Sequence, residues 1–63
     1  MTYKEFKQKV KKAYPEANIS FTTNGAQYMA TVEGHLVLYT NAGSDAIYGM
    51  MNGVSIGRCL GIE

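Results

Sequence analysis

The chain holds one cysteine, one histidine and one proline in 63 residues. A lone Cys59 rules out an internal disulfide. With His35 as its only companion, it cannot furnish the four Cys or His ligands of a structural zinc site. No stretch is apolar and long enough for a transmembrane span or the centre of a secretion signal, because five lysines interrupt the first fifteen residues. A free thiol without such segments suits a reducing compartment, so a cytoplasmic protein is expected. Starting at Met1, the chain is read as a complete small gene product. Neither G-x-x-x-x-G-K-[ST] nor G-x-G-x-x-G occurs among the glycines, which removes the usual phosphate-binding loops. No metal and no cofactor is expected.

A single domain of this size buries only about 60% of the surface its unfolded chain exposes. Small domains commonly add disulfides, a metal or a second subunit. With the first two excluded, an efficient core or self-association must serve. Positive charge is also scarce over most of the length. Five of the six basic residues (Lys4, Lys7, Lys9, Lys11, Lys12) precede Pro15, and only Arg58 follows it. Residues 1–16 carry +3 and residues 17–63 carry −2, an asymmetry that can steer an acidic partner to one end.

The lysine-rich segment predicts a helix ending at about Tyr14, before Pro15. Thr2 and Glu5 have the spacing of a capping box, and Met1 and Phe6 that of a hydrophobic staple. Tyr3, Phe6, Val10, Ala13 and Tyr14 recur at three- and four-residue steps and form one apolar face. Lys11 and Lys12 complement the negative end of the helix dipole.

Strands are predicted next. Ile19, Phe21 and Thr23 alternate with Ser20 and Thr22, and Asn24-Gly25 signals a hairpin. Ala26 to Glu33 reads as a second strand, with Tyr28, Ala30 and Val32 on one face and Gln27, Met29 and Thr31 on the other. Gly34-His35 reads as a second tight turn, and Leu36 to Thr40 as a third, more uniformly apolar strand. The expected fold is α+β: a single domain over 1–63 in which an N-terminal helix packs on a three-stranded antiparallel meander.

For the remainder the preferred reading is a loop at Asn41-Ala42-Gly43, then a short helix over 44–52. Ser44 would be its N-cap and Asn52-Gly53 its end, with an extended tail beyond. The alternative is a second hairpin on Asn52-Gly53, with Val54, Ile56, Arg58, Leu60 and Ile62 along one strand face. Glycines at 49, 53, 57 and 61 argue against one continuous helix, at about 1 kcal/mol each relative to alanine. The order α-β-β-β-α is similar in topology to double-stranded-RNA-binding domains. Those domains carry a lysine cluster at the start of the second helix, and Ser44 to Met50 contains no basic residue.

No catalytic constellation is expected. His35 lies in a turn with no second histidine and no carboxylate placed beside it. Cys59 sits in an apolar, glycine-rich context that suits a small buried residue better than a nucleophile. Tyrosine and methionine are enriched at protein interfaces. Tyr39 and Tyr48 flank the 41–45 loop, and Met50 and Met51, being adjacent, cannot share one face of a strand. The reading is a non-catalytic protein-binding module: a small inhibitor or adaptor of mobile-element, phage-like type that occludes a partner protein. Its expected contacts are Tyr39, Tyr48, Met50, Met51, Val54 and Ile56, and a homodimer is one way to use them. The alternative is a weak nucleic-acid-binding domain using Lys4, Lys7, Lys11 and Lys12. Its drawbacks are a near-neutral pI and a preponderance of lysine over base-reading arginine. No membrane partner is expected.

Overall fold

A computed structural model describes residues Met1–Glu63. Helix α1 spans Tyr3–Ala13 and begins with the expected capping box. The Glu5 N–H donates to Thr2 Oγ1 at 3.1 Å, and the Thr2 N–H donates to Glu5 Oε1 at 2.9 Å. These bonds satisfy donors that a helix start leaves open. The bond from the Thr2 N–H, and then that from the Thr2 hydroxyl, hold the Glu5 carboxyl below its ordinary pKa. At the other end the Tyr14 N–H closes on Val10 O at 3.0 Å, just before Pro15.

Five strands follow: β1 (Ile19–Thr23), β2 (Gln27–Val32), β3 (Leu36–Asn41), β4 (Tyr48–Met51) and β5 (Val54–Arg58). They form one antiparallel sheet in sequence order, an open meander whose end strands do not meet. The α+β class is as read from the sequence, but the meander has five strands, not three. The expected helix over 44–52 does not form, and the resemblance to the α-β-β-β-α order ends with it.

The turn at Asn52-Gly53 explains the difference. Both residues are left-handed, with φ of 52° and 82°, and Met51 pairs with Val54. That is the two-residue turn that Asn-Gly favours, and its twist matches the strands it joins. A short helix containing Gly49 would have little intrinsic stability. As β4, the same residues instead satisfy the open hydrogen-bonding edge of β3. Ser44 still makes a local cap-like bond, its Oγ accepting from the Ala46 N–H at 3.1 Å, but the chain then runs into β4.

Other boundaries shift for similar reasons. The second turn is centred on Glu33 and Gly34, with φ of 54° and 74°, and the His35 N–H closes on Val32 O at 3.2 Å. At Asn24-Gly25 only the glycine is left-handed. Asn24 instead uses its side-chain oxygen to accept from the Ala26 and Gln27 N–H groups, each at 2.9 Å, so Ala26 belongs to the turn and not to the strand.

The core lies between α1 and the sheet. Phe6 and Val10 pack over Ala30, Val32, Leu36 and Leu38, with Ile47 filling the space beside them. Burial of each of the larger side chains contributes about 1.5–3 kcal/mol, and Ala30 adds less. Phe6 meets Phe21 edge-on at 6.4 Å between ring centroids. The one buried hydroxyl, Thr40, donates to the Ala46 carbonyl. The backbone of α1 runs closest to β1 and β2. Beyond it the C-terminal segment closes the core, with Cys59 and Ile62 packed against it. Glu63 anchors that segment: its carboxylate accepts from the Ile47 N–H at 2.7 Å and from Arg58 through three contacts of 2.7–3.1 Å.

Candidate functional site: an apolar sheet face

Strand pairing sorts the side chains into two faces. On the face towards α1, Phe21, Ala30, Leu38 and Gly49 lie across from one another, as do Ile19, Val32, Leu36, Met51 and Val54. The opposite face has no layer over it. There Thr22, Met29, Tyr39, Tyr48 and Arg58 form one cross-strand row, and Ser20, Thr31, Val37, Met50 and Ser55 form the next.

The centre of this outer face is apolar. Met29, Val37, Tyr39, Tyr48 and Met50 form a continuous patch over β2, β3 and β4. Tyr39 and Tyr48 stack with centroids 6.0 Å apart and planes 27° apart. Met29 and Tyr48 are 36% and 42% exposed, and the other three are half-buried. The only charge in the two rows is Arg58, whose guanidinium is bound to Glu63. The hydrogen bonds from Arg58, and then that from the Ile47 N–H, hold the Glu63 carboxyl below its ordinary pKa.

The six contact residues read from the sequence do not form one surface. Tyr39, Tyr48 and Met50 share the outer face. Met51 and Val54 lie on the helix side, and Met50 and Met51 fall on opposite faces as their adjacency requires. Ile56 is an extra residue in a bulge between the Met50–Ser55 and Gly49–Gly57 pairs, and it packs over Gly49. This bulge also breaks the single face expected for Val54, Ile56 and Arg58: Val54 lies opposite Met51, and Arg58 opposite Tyr48. Val54, Ile56 and Leu60 remain largely exposed along the rim of the sheet.

Val37 belongs to the patch without being among the six expected contacts, although the sequence pattern holds the signal. A strand that is apolar at four successive positions, Leu36 to Tyr39, offers an apolar surface on both faces. Met29 joins the patch because its register partner is Tyr39, a relation that only pairing reveals.

Lys4, Lys11 and Lys12 are exposed on α1, and Lys7 is half-buried. None of the four makes an ion pair. Lys7 Nζ lies 4.6 Å from the Tyr3 ring centroid, and Lys11 Nζ lies 5.6 Å from that of Phe21. His35 is exposed, and its ring makes one hydrogen-bond contact, Nδ1 lying 3.0 Å from the Glu33 carbonyl oxygen. Burial, and then the nearby Glu63 charge, pushes the Cys59 thiol above its ordinary pKa, the reverse of nucleophile activation. No three His, Cys, Asp or Glu side chains converge. No helix is long and apolar enough to cross a membrane.

No protein-family model, curated protein or solved structure matches the chain.

Proposed function

We propose that this chain is a non-catalytic protein-binding module that docks through the sheet face opposite α1. Tyr39, Tyr48 and Met50, joined by Met29 and Val37, are its contacts. The observation that carries this reading is the apolar patch across β2, β3 and β4 on a face that nothing covers. An antiparallel sheet covered on one side ordinarily turns polar residues to water on the other. Aromatic residues and methionine mark the cores of protein interfaces, and lysine and glutamate are depleted there. The stacked tyrosines are already restrained, so less side-chain freedom is lost on association. A small preformed surface of this kind acts by occlusion, as an inhibitor or adaptor does. The mobile-element character of that role rests on size alone.

The test pairs Tyr48→Asp with Met50→Glu and compares each with the wild type. Solution mass by light scattering reads self-association, and capture on immobilised protein reads hetero-association. Tyr48→Asp gives up the stack on Tyr39 and should lower stability by about 0.5–1.5 kcal/mol, so both variants are compared under conditions where they remain folded. Loss of a central contact should weaken association by about 2 kcal/mol, or roughly 30-fold. Unchanged mass and an unchanged set of captured proteins in both folded variants would end this reading.

A second reading, weak nucleic-acid binding by Lys4, Lys7, Lys11 and Lys12, is favoured by the absence of ion pairs at all four. It requires binding that falls steeply with salt. The rings of Tyr3 and Phe21 are engaged by Lys7 and Lys11, which leaves them poor platforms for stacking bases.

A further inference from the structure

The two free edges of the sheet differ in kind. β5 carries a bulge at Ile56, a left-handed Gly57 with φ of 77°, and the Arg58–Glu63 pair at its end. Bulges and charges blunt an edge against further pairing. β1 has none of these. Its five residues, Ile-Ser-Phe-Thr-Thr, pair with β2 in unbroken register and contain no charge, proline or glycine.

Hydrogen bonds at the two ends of β1 set which groups face outward. The Glu33 N–H donates to Asn18 O at 2.8 Å, and the Asn24 N–H donates to Gln27 O at 3.4 Å. Bonding alternates along an antiparallel ladder, so Ser20 and Thr22 bond to β2. The main-chain N–H and C=O groups of Ile19, Phe21 and Thr23 therefore point away from the sheet. No other strand lies on that side, and no side chain occupies these groups. The complement of three donors and three acceptors at every second residue is another strand.

Charge narrows the choice of strand. Lys11 stands over Phe21, in the middle of β1. Lys7 stands over Tyr3, whose ring lies 5.4 Å from that of Tyr28, the residue opposite Thr23. Both ammonium groups thus lie on the helix side of this end of the sheet, and neither has a carboxylate partner.

We propose that the outer edge of β1 receives an extended segment of a partner polypeptide as a sixth strand, with acidic residues at the alternate positions that face Lys7 and Lys11. A second copy fits poorly. Pairing β1 with itself would bring two sets of lysines together with no acid in either strand. This surface is separate from the apolar face of the preceding proposal, so either can fail alone.

The experiment titrates an alternating Glu-Val octapeptide, and a Lys-Val octapeptide of the same design, into the isotopically labelled full chain. Amide hydrogen exchange is read residue by residue. The Glu-Val peptide should slow exchange at Ile19, Phe21 and Thr23 by about tenfold, and leave Ser20 and Thr22, already bonded to β2, unchanged. Lys11→Glu, a change on an exposed helix position, should weaken that binding about two- to fivefold while the fold persists. Absence of protection at the three amides would overturn the proposal, and so would protection confined to β5. Equal protection by both peptides would remove the acidic preference. Protection that grows with protein concentration in the absence of peptide would assign the edge to a second copy and overturn the proposal as well.

Discussion

Replacing Gly49 with alanine has opposite consequences in the two conformations open to residues 44–52. In a helix the change would stabilise the protein by about 0.8–1.0 kcal/mol, because alanine is the better helix former. In β4 the new methyl points towards the core side of the hairpin. There it would stand 2.9 Å from Cys59 Sγ and 3.0 Å from Ile56 Cδ1 and Cγ1. Overpacking of this kind costs about 1–3 kcal/mol. Ile56 is half exposed and can swing aside, whereas Cys59 is tied by its N–H to Ile47 O at 2.7 Å. The lower part of the range applies, about 1–2 kcal/mol. A 63-residue domain has a total stability of only about 3–9 kcal/mol, so the loss should be plain. Thermal unfolding followed by far-ultraviolet circular dichroism should show Tm lowered by about 4–16 °C. Urea titration should show a lower midpoint with an unchanged m-value. An unchanged or raised Tm would refute the packing argument, and with it the placement of Gly49 beneath Ile56 and Cys59.

Thr2→Ala removes the acceptor for the Glu5 N–H and should lower stability by about 1 kcal/mol in urea unfolding, with the sheet register intact by nuclear magnetic resonance. Glu63 has a depressed pKa in the folded state, so the unfolded chain binds the extra proton first. Its contribution is complete above the ordinary carboxylate value of about 4.3 and is lost as pH falls through the lower folded value. Glu63→Gln should therefore flatten the acid limb of the stability–pH curve, and the Glu5 titration should remain. A wild-type slope in the variant would show that Glu63 does not anchor the C-terminal segment.

The parts of the fold that were legible in the sequence are those decided within a few residues. α1 declared itself through Thr2, Glu5, the three- and four-residue spacing of Phe6 and Val10, and Pro15. β1 to β3 are legible from alternation and turn residues, with shifts of one position where turn chemistry is finer than the pattern. Asn24 caps the first turn with its side chain and does not adopt a left-handed backbone. Glu33, a residue with no marked preference for positive φ, takes the place expected of His35. The candidate surface was only half legible. Tyr39, Tyr48 and Met50 stand out individually in the sequence, but register alone decides that they meet Met29 and Val37 and part from Met51 and Val54.

Residues 44–63 mark the division. Local signals there were balanced: Ser44 and Asp45 suit a helix start, while Asn52-Gly53 suits a hairpin as well as a helix end. The decision came from groups distant in the chain. β3 offers an unpaired edge, Ile47 fills the core beside Leu38, and Glu63 returns to the Ile47 N–H. A short glycine-containing helix has little of its own to set against those contacts. Capping, periodicity and turn preference act through neighbours in sequence and can be read from the chain as written. Strand register, the covered and bare faces of the sheet, and the free edge of β1 depend on which segments meet, and only the assembled fold decides that.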